Sequence, residues 1–133
     1  MEERNHWCFA CGKLNPIGLQ LEFEQVGEEY RTTLTPKQEH QGYDGIMHGG
    51  LVSTVLDEVM AGYIYALGFN AVTARLEVRY RKPTPIGQPL TATARIVQKR
   101  GRMYEMAGEI RLPDGTITAE GKATVMAAKE ESI

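Results

Sequence analysis

A single stretch of helical periodicity, set in a chain that otherwise reads as strand, most limits the fold. Leu51, Val55 and Val59, together with Leu56, Met60 and Tyr63, recur at three- and four-residue steps. That spacing describes a helix with a wide apolar stripe, largely wrapped by other structure. Gly68 is placed to stop it. Before it, LQLEFEQV (19–26) alternates apolar and polar residues and, after a turn at 27–29, Tyr30–Leu34 returns, so the pair reads as a hairpin. Residues 35–47 form a loop into the helix. After it, AVTARLEVRYR (71–81) alternates at Val72, Ala74, Leu76, Val78 and Tyr80, and further strands follow at 90–97, 103–112 and 117–127. KPTPIGQ, KRGR and PDG supply the turns between them. The expected order is therefore a hairpin, one long helix and four antiparallel strands in a meander. One helix covers a sheet of that size only by lying across its concave face. The outer face and edges of the sheet then seek a partner, and at least a homodimer is expected.

The 133 residues suit one domain with a core of its own. A hydrophobic share of 42%, a charged share of 24% and a net charge of -2 give no electrostatic reason to expect nucleic-acid binding. No apolar run approaches the ~20 residues of a membrane span. The opening MEERNHW has no apolar leader, so a cytoplasmic protein away from the membrane is expected. Residues 1–18 read as an irregular lead-in, 19–128 as the domain and 129–133 as a polar tail.

CFACG in the lead-in holds both cysteines, Cys8 and Cys11. It can be half a zinc site, but His6 and His40 do not stand at zinc-ligand spacing. It can be a redox pair, but Pro16 and Gly18 follow where a helix should begin. The third reading is a structural turn. The sequence favours the turn, and neither a metal nor a cofactor is expected.

The chemistry concentrates in IMHGGLVSTVLDEVMAG, residues 46–62. His48, Gly49 and Gly50 stand at the helix start, where unpartnered amides and the positive end of the dipole favour an anion or an oxyanion. Glycines there admit close approach to the backbone. Asp57 lies about two turns further on among Val55, Leu56 and Val59, a costly setting for a carboxylate that has neither partner nor task. Glu58 is rotated from it by roughly 100°. One of the two acids is expected to meet the interior or an interface and the other solvent. A carboxylate near an oxyanion-binding amide can serve hydrolysis, and both acids on a solvent face is the competing reading. Ser53 and Thr54 lack a GxSxG elbow, and neither HExxH nor a phosphate-binding GxxxxGK[ST] loop occurs. Arg81, Lys82, Lys99, Arg100 and Arg102 sit at two strand ends, as a solvated face or as a grip for phosphates.

Three stretches, QGYDGIMHGGLVSTVLDEVMAG, CFACGKLNPIGLQL and YRKPTPIGQPL, give the chain a family likeness. From Cys8 to Ala127 it resembles the hotdog-fold thioesterases of the PaaI-like group and, within it, the THEM-type acyl-CoA thioesterases. The resemblance implies an α+β hotdog fold, a curved antiparallel sheet wrapped around one central helix. It implies hydrolysis of an acyl-CoA to free CoA and a carboxylic acid, in a homodimer or a homotetramer built as a dimer of dimers. By the same likeness the amide of Gly49 polarises the thioester carbonyl and His48 orients the site. Asp57, nine positions after His48, is nucleophile or general base. Thr73 helps hold the attacking water, and Asp57 of one chain faces His48 and Gly49 of the other. Gly50 and the five basic residues fall to substrate binding, and Met60 and Tyr63 to the acyl pocket. One departure stands out. Several members carry Asn or Gln six residues before the histidine, where this chain has Gly42, so Gln41 is expected to reach the site through a bulged loop. A non-catalytic acyl-CoA or lipid-binding module on the same fold is the alternative.

Overall fold

The computed structural model describes residues 6–128, so the polar tail at 129–133 lies outside the described residues. Its elements are β1 (Phe23–Val26), β2 (Glu29–Leu34), α1 (Gly49–Ala66), β3 (Ala71–Tyr80), β4 (Leu90–Arg100), β5 (Met103–Arg111) and β6 (Ile117–Ala127). The six strands make one antiparallel sheet in the order β1-β2-β4-β5-β6-β3. It curves around α1, which contacts β2 to β6.

The sequence-based expectation of a four-strand meander needs correction. Only β4, β5 and β6 form one, and β3 crosses to the far edge to pair with β6. The physical reason is the helix: α1 leaves β2 on one side of the sheet and delivers the chain to the other. The strand expected over 19–26 is also shorter. Leu19 and Leu21 are buried, as the alternation implied. Their amides, however, donate to the carbonyls of Phe9 and Ala10 at 2.8 and 2.9 Å, and Gln20 between them has φ 53°. The β1 ladder therefore begins only at Phe23.

The helix is enclosed on nearly all sides. Val52, Val55, Leu56, Val59, Met60, Tyr63 and Ile64 are buried, and every residue from Leu51 to Tyr65 is at least partly buried. Gly108 and Gly121 face each other in the β5–β6 register beneath Met60. A Cβ built on Gly121 would stand 3.0 Å from the Met60 methyl carbon, so the glycine pair sets how closely helix and sheet approach. At the other end Leu67 caps the helix and Gly68, at φ 109°, turns the chain away.

Leu56 is fully buried at the centre of this packing. Leu56→Ala should lower the unfolding free energy by about 2–5 kcal/mol. Urea denaturation checks this, and a change below about 0.5 kcal/mol, as for a surface substitution, would contradict the enclosed helix.

Candidate active site

The helix start is built by its own histidine. His48 is the N-cap of α1, and its Nδ1 accepts a hydrogen bond from the Gly50 N–H at 2.9 Å. A ring nitrogen that accepts carries no proton, so the neutral imidazole holds its proton on Nε2. The Gly49 N–H has no acceptor among the described residues. His48, Gly49 and Gly50 are all exposed, and His48 and Gly49, with Gly42, Tyr43 and Tyr80, line a groove of about 690 Å³ that Gly50 does not border. Two donors, the Gly49 amide and His48 Nε2–H, are thus available where an oxygen would be polarised.

Tyr80, which the sequence reading did not single out, supports this corner. Its hydroxyl donates to the Gly49 carbonyl at 2.9 Å and lies 2.5 Å from Ser53 Oγ. Its ring lies against Gly49, 3.6 Å from where a Cβ would stand. The available signal was its position at the end of the strand that leads into KPTP.

Asp57 meets Thr73. The Thr73 hydroxyl donates to Asp57 Oδ1 at 2.6 Å, and both residues are half-buried. A β-bulge makes this contact possible. The β3–β6 register slips between Thr73 and Arg75, so Ala71 and Thr73 face the helix before the slip, and Val78 and Tyr80 face it after. Unbroken alternation from Val72 to Tyr80, as the sequence suggested, would have turned Thr73 away from Asp57. Instead Val72 is 67% exposed.

Other expectations are corrected. Neither acid lies on a solvent face, because Glu58 is half-buried and faces Cys8 and Cys11. Gln41 does not reach the groove: its Oε1 accepts the Gly45 N–H at 2.9 Å and braces the loop. Position 42 has little room for a larger residue, since a Cβ there would come within 3.1 Å of the His48 Cα. Beside it His40 is buried, its Nδ1 accepting the Lys37 N–H at 2.9 Å. Burial, followed by the nearby Lys37 charge, lowers its pKa and keeps it neutral.

Met60 and Tyr63 are core residues. Met60 is fully buried over the glycine pair, and Tyr63 stacks on Tyr30 at 5.3 Å and donates to the Glu28 carbonyl. Full burial leaves Met60 no open space for an acyl chain within this protomer, whereas Tyr63 borders a hollow of about 410 Å³ with Glu28, Glu29, Arg95 and Ile96. The basic residues also divide. Arg81 and Lys82 line the groove, Arg81 paired with Glu120 at 2.8 Å. Lys99, Arg100 and Arg102 stand at the opposite end of the sheet, where Arg102 donates to the Ala127 carbonyl. The length of β6, roughly 33 Å, separates the two groups. A further hollow of about 430 Å³, bordered by Glu77, Arg79, Glu109 and Glu120, faces away from the helix. Among the described residues no helix is long and apolar enough to cross a membrane.

Comparison with known proteins bears on this geometry. A family model described as Thioesterase superfamily matches residues 44–119, which include the helix, Asp57 and Thr73. Acyl-coenzyme A thioesterase THEM4 of Xenopus laevis is 31% identical over 78 residues, 58% of this chain and 35% of that protein. Acyl-coenzyme A thioesterase 13 of Mus musculus is 28% identical over 92 residues, 66% of this chain and 65% of that protein. The chain thus spans less than two thirds of the length of either. The crystal structure of the thioesterase superfamily protein RHA08564 superposes with a TM-score of 0.83 at 31% identity, over 91% of this chain and 60% of that one. The curved sheet around one helix is thus the hotdog fold.

The N-cap predicts a separable effect. His48→Ala should cost about 0.5–2 kcal/mol of stability, and His48→Asn, which restores a capping side chain, should recover most of it. Thermal melts of the two variants check this, and equal losses in both would remove the capping role.

Proposed function

The chain belongs to the thioesterase superfamily, and on that premise we propose that it hydrolyses an acyl-CoA thioester to free CoA and a carboxylic acid. The observation that carries the proposal is the Thr73–Asp57 hydrogen bond, which orients the carboxylate on an otherwise enclosed helix. A carboxylate held this way can attack the carbonyl itself or take a proton from water. In the water route Asp57 removes the proton, the hydroxide adds to the carbonyl carbon, and the oxyanion is held by the Gly49 amide and His48 Nε2–H. The C–S bond then breaks, and the CoA thiolate leaves and is protonated. A thioester suits so small a machinery because sulfur gives its carbonyl little resonance and leaves readily as thiolate.

Helix geometry favours a site shared between two copies. Gly49 and Asp57 are separated along α1 by eight residues, about 12 Å at 1.5 Å per residue. One carbonyl does not reach both in a single chain. The ten-residue edge strand β3 exposes Val72, Leu76 and Tyr80, an apolar margin that a second copy would cover. A homodimer through β3 brings Asp57 of one protomer towards the helix start of its partner, and pairing of dimers gives the tetramer. It also offers a route for the two basic groups, distant within one chain, to serve one carrier phosphate site.

Asp57→Asn should lower kcat about 10²–10⁴-fold with the fold retained. Thr73→Ala should lower it about 5–10-fold, the loss of one hydrogen bond of about 1 kcal/mol. Thiol release from a panel of acyl-CoAs, read beside circular dichroism, checks both. Wild-type binding of acyl-CoA without thiol release would favour the non-catalytic module, and unchanged turnover in Asp57→Asn would remove Asp57 from the mechanism.

A further inference from the structure

Where the lead-in meets the helix lies a side-chain cluster that the proposed hydrolysis does not use. Cys8, Cys11 and Glu58 bring two Sγ atoms and a carboxylate oxygen to within 4.8 Å of one another. No disulfide joins the cysteines. Glu58 reaches them from the middle of α1, one position after Asp57 and turned by roughly 100° towards the other side of the helix.

The lead-in is folded to present these sulfurs. Gly12 N–H donates to the Cys8 carbonyl at 2.8 Å and Leu14 N–H to the His6 carbonyl at 3.0 Å. A Cβ on Gly12 would fall 2.3 Å from the His6 carbonyl oxygen and 2.4 Å from the Cys8 nitrogen, so the CFACG turn closes this tightly only on glycine. Ala10, between the cysteines, is buried in the core, and the backbones of Phe9 and Ala10 accept from Leu19 and Leu21. Both thiols are therefore held on one side of a rigid turn, facing a carboxylate fixed by a long helix.

We propose that Cys8, Cys11 and Glu58 bind a zinc ion that staples the lead-in to the centre of α1. Two cysteines separated by two residues, as Cys8 and Cys11 are, have a zinc-ligand spacing, and a carboxylate is an accepted third ligand. Tetrahedral zinc with Zn–S near 2.3 Å sets ligand atoms roughly 3.5–3.8 Å apart, so side-chain rotations of about 1 Å close the cluster. The donor set selects the metal. Calcium and magnesium call for oxygen ligands throughout, and copper(I) for soft sulfur ligands. Water completes the coordination. Binding releases the two thiol protons, because zinc takes the thiolates. The redox reading of the pair has less support, since the turn leads into an irregular segment and not into a helix.

The direct test is metal content of the purified chain after reconstitution with zinc in reducing buffer and removal of loose metal. One zinc per chain is expected, with little or none in Cys8→Ser and Cys11→Ser. Glu58→Gln should weaken zinc binding at least about tenfold. Should the cysteine variants fail to fold, titration of the reduced wild type with Co²⁺ decides independently, through a thiolate-to-cobalt charge-transfer band. Zinc should also raise the melting temperature of the metal-free chain, as a ligand of the folded state does. A folded, reduced chain that takes up no zinc and gives no cobalt band overturns the proposal. So does wild-type affinity in Glu58→Gln, or a Cys8–Cys11 disulfide that persists in place of zinc under these conditions.

Discussion

The enclosure of α1 by the sheet governs the rest of the molecule. With Met60 seated over Gly108 and Gly121, the helix lies close enough to the strands that no side chain from Leu51 to Tyr65 is left fully in water. Each polar residue on such a helix needs a neighbour that satisfies it. Ser53 finds Tyr80, Thr54 donates to the Gly50 carbonyl, and Asp57 finds Thr73. Glu58 faces two cysteines. The adjacent acids therefore have different surroundings on two sides of one helix, and the enclosure that makes them costly also makes them oriented.

The same constraint bears on the proposed site, which is spread along the helix and not gathered at one point. The polarising donors belong to the first turn, where helical amides lack internal acceptors. The carboxylate proposed as base lies where the helix runs beside the edge strand β3, held by Thr73 of that strand. In the proposed reaction these demands do not meet within one chain, which gives the long, exposed edge of β3 a part in the proposed chemistry. An edge strand of ten residues with Val72 and Leu76 exposed is otherwise a hazard for aggregation.

Much of this was legible in the residues. The helix followed from the spacing of Leu51, Val55, Val59 and Leu56, its stop from Gly68, and the later strands from alternation and their turns. The hotdog fold, and Thr73 as a site residue, came from resemblance, while its hydrogen bond to Asp57 came from the structure. The alternation of residues 71–81 pointed Thr73 the wrong way, since a bulge at Ala74 leaves no mark in a period-two pattern. Long-range order was equally silent: nothing in the residues of β3 says that it pairs with β6 and not β4. Gln41 and Met60 looked available because sequence does not show that one braces a loop and the other fills the space above two glycines. Glu58 beside Cys8 and Cys11 joins segments nearly fifty residues apart, a contact that local spacing cannot reveal.

The central claim is that each site takes its carboxylate from one protomer and its polarising amide from the other. Subunit mixing tests it most directly. Gly49→Pro removes one N–H while keeping a residue that suits the first helical position, and Asp57→Asn removes the base. Each variant alone should release little thiol from acyl-CoA. After exchange of subunits the mixed dimer carries one intact pair of halves, and thiol release should reappear. Continued inactivity of a mixture whose subunit exchange has been verified, or full turnover by a monomeric wild-type chain, would contradict the shared site.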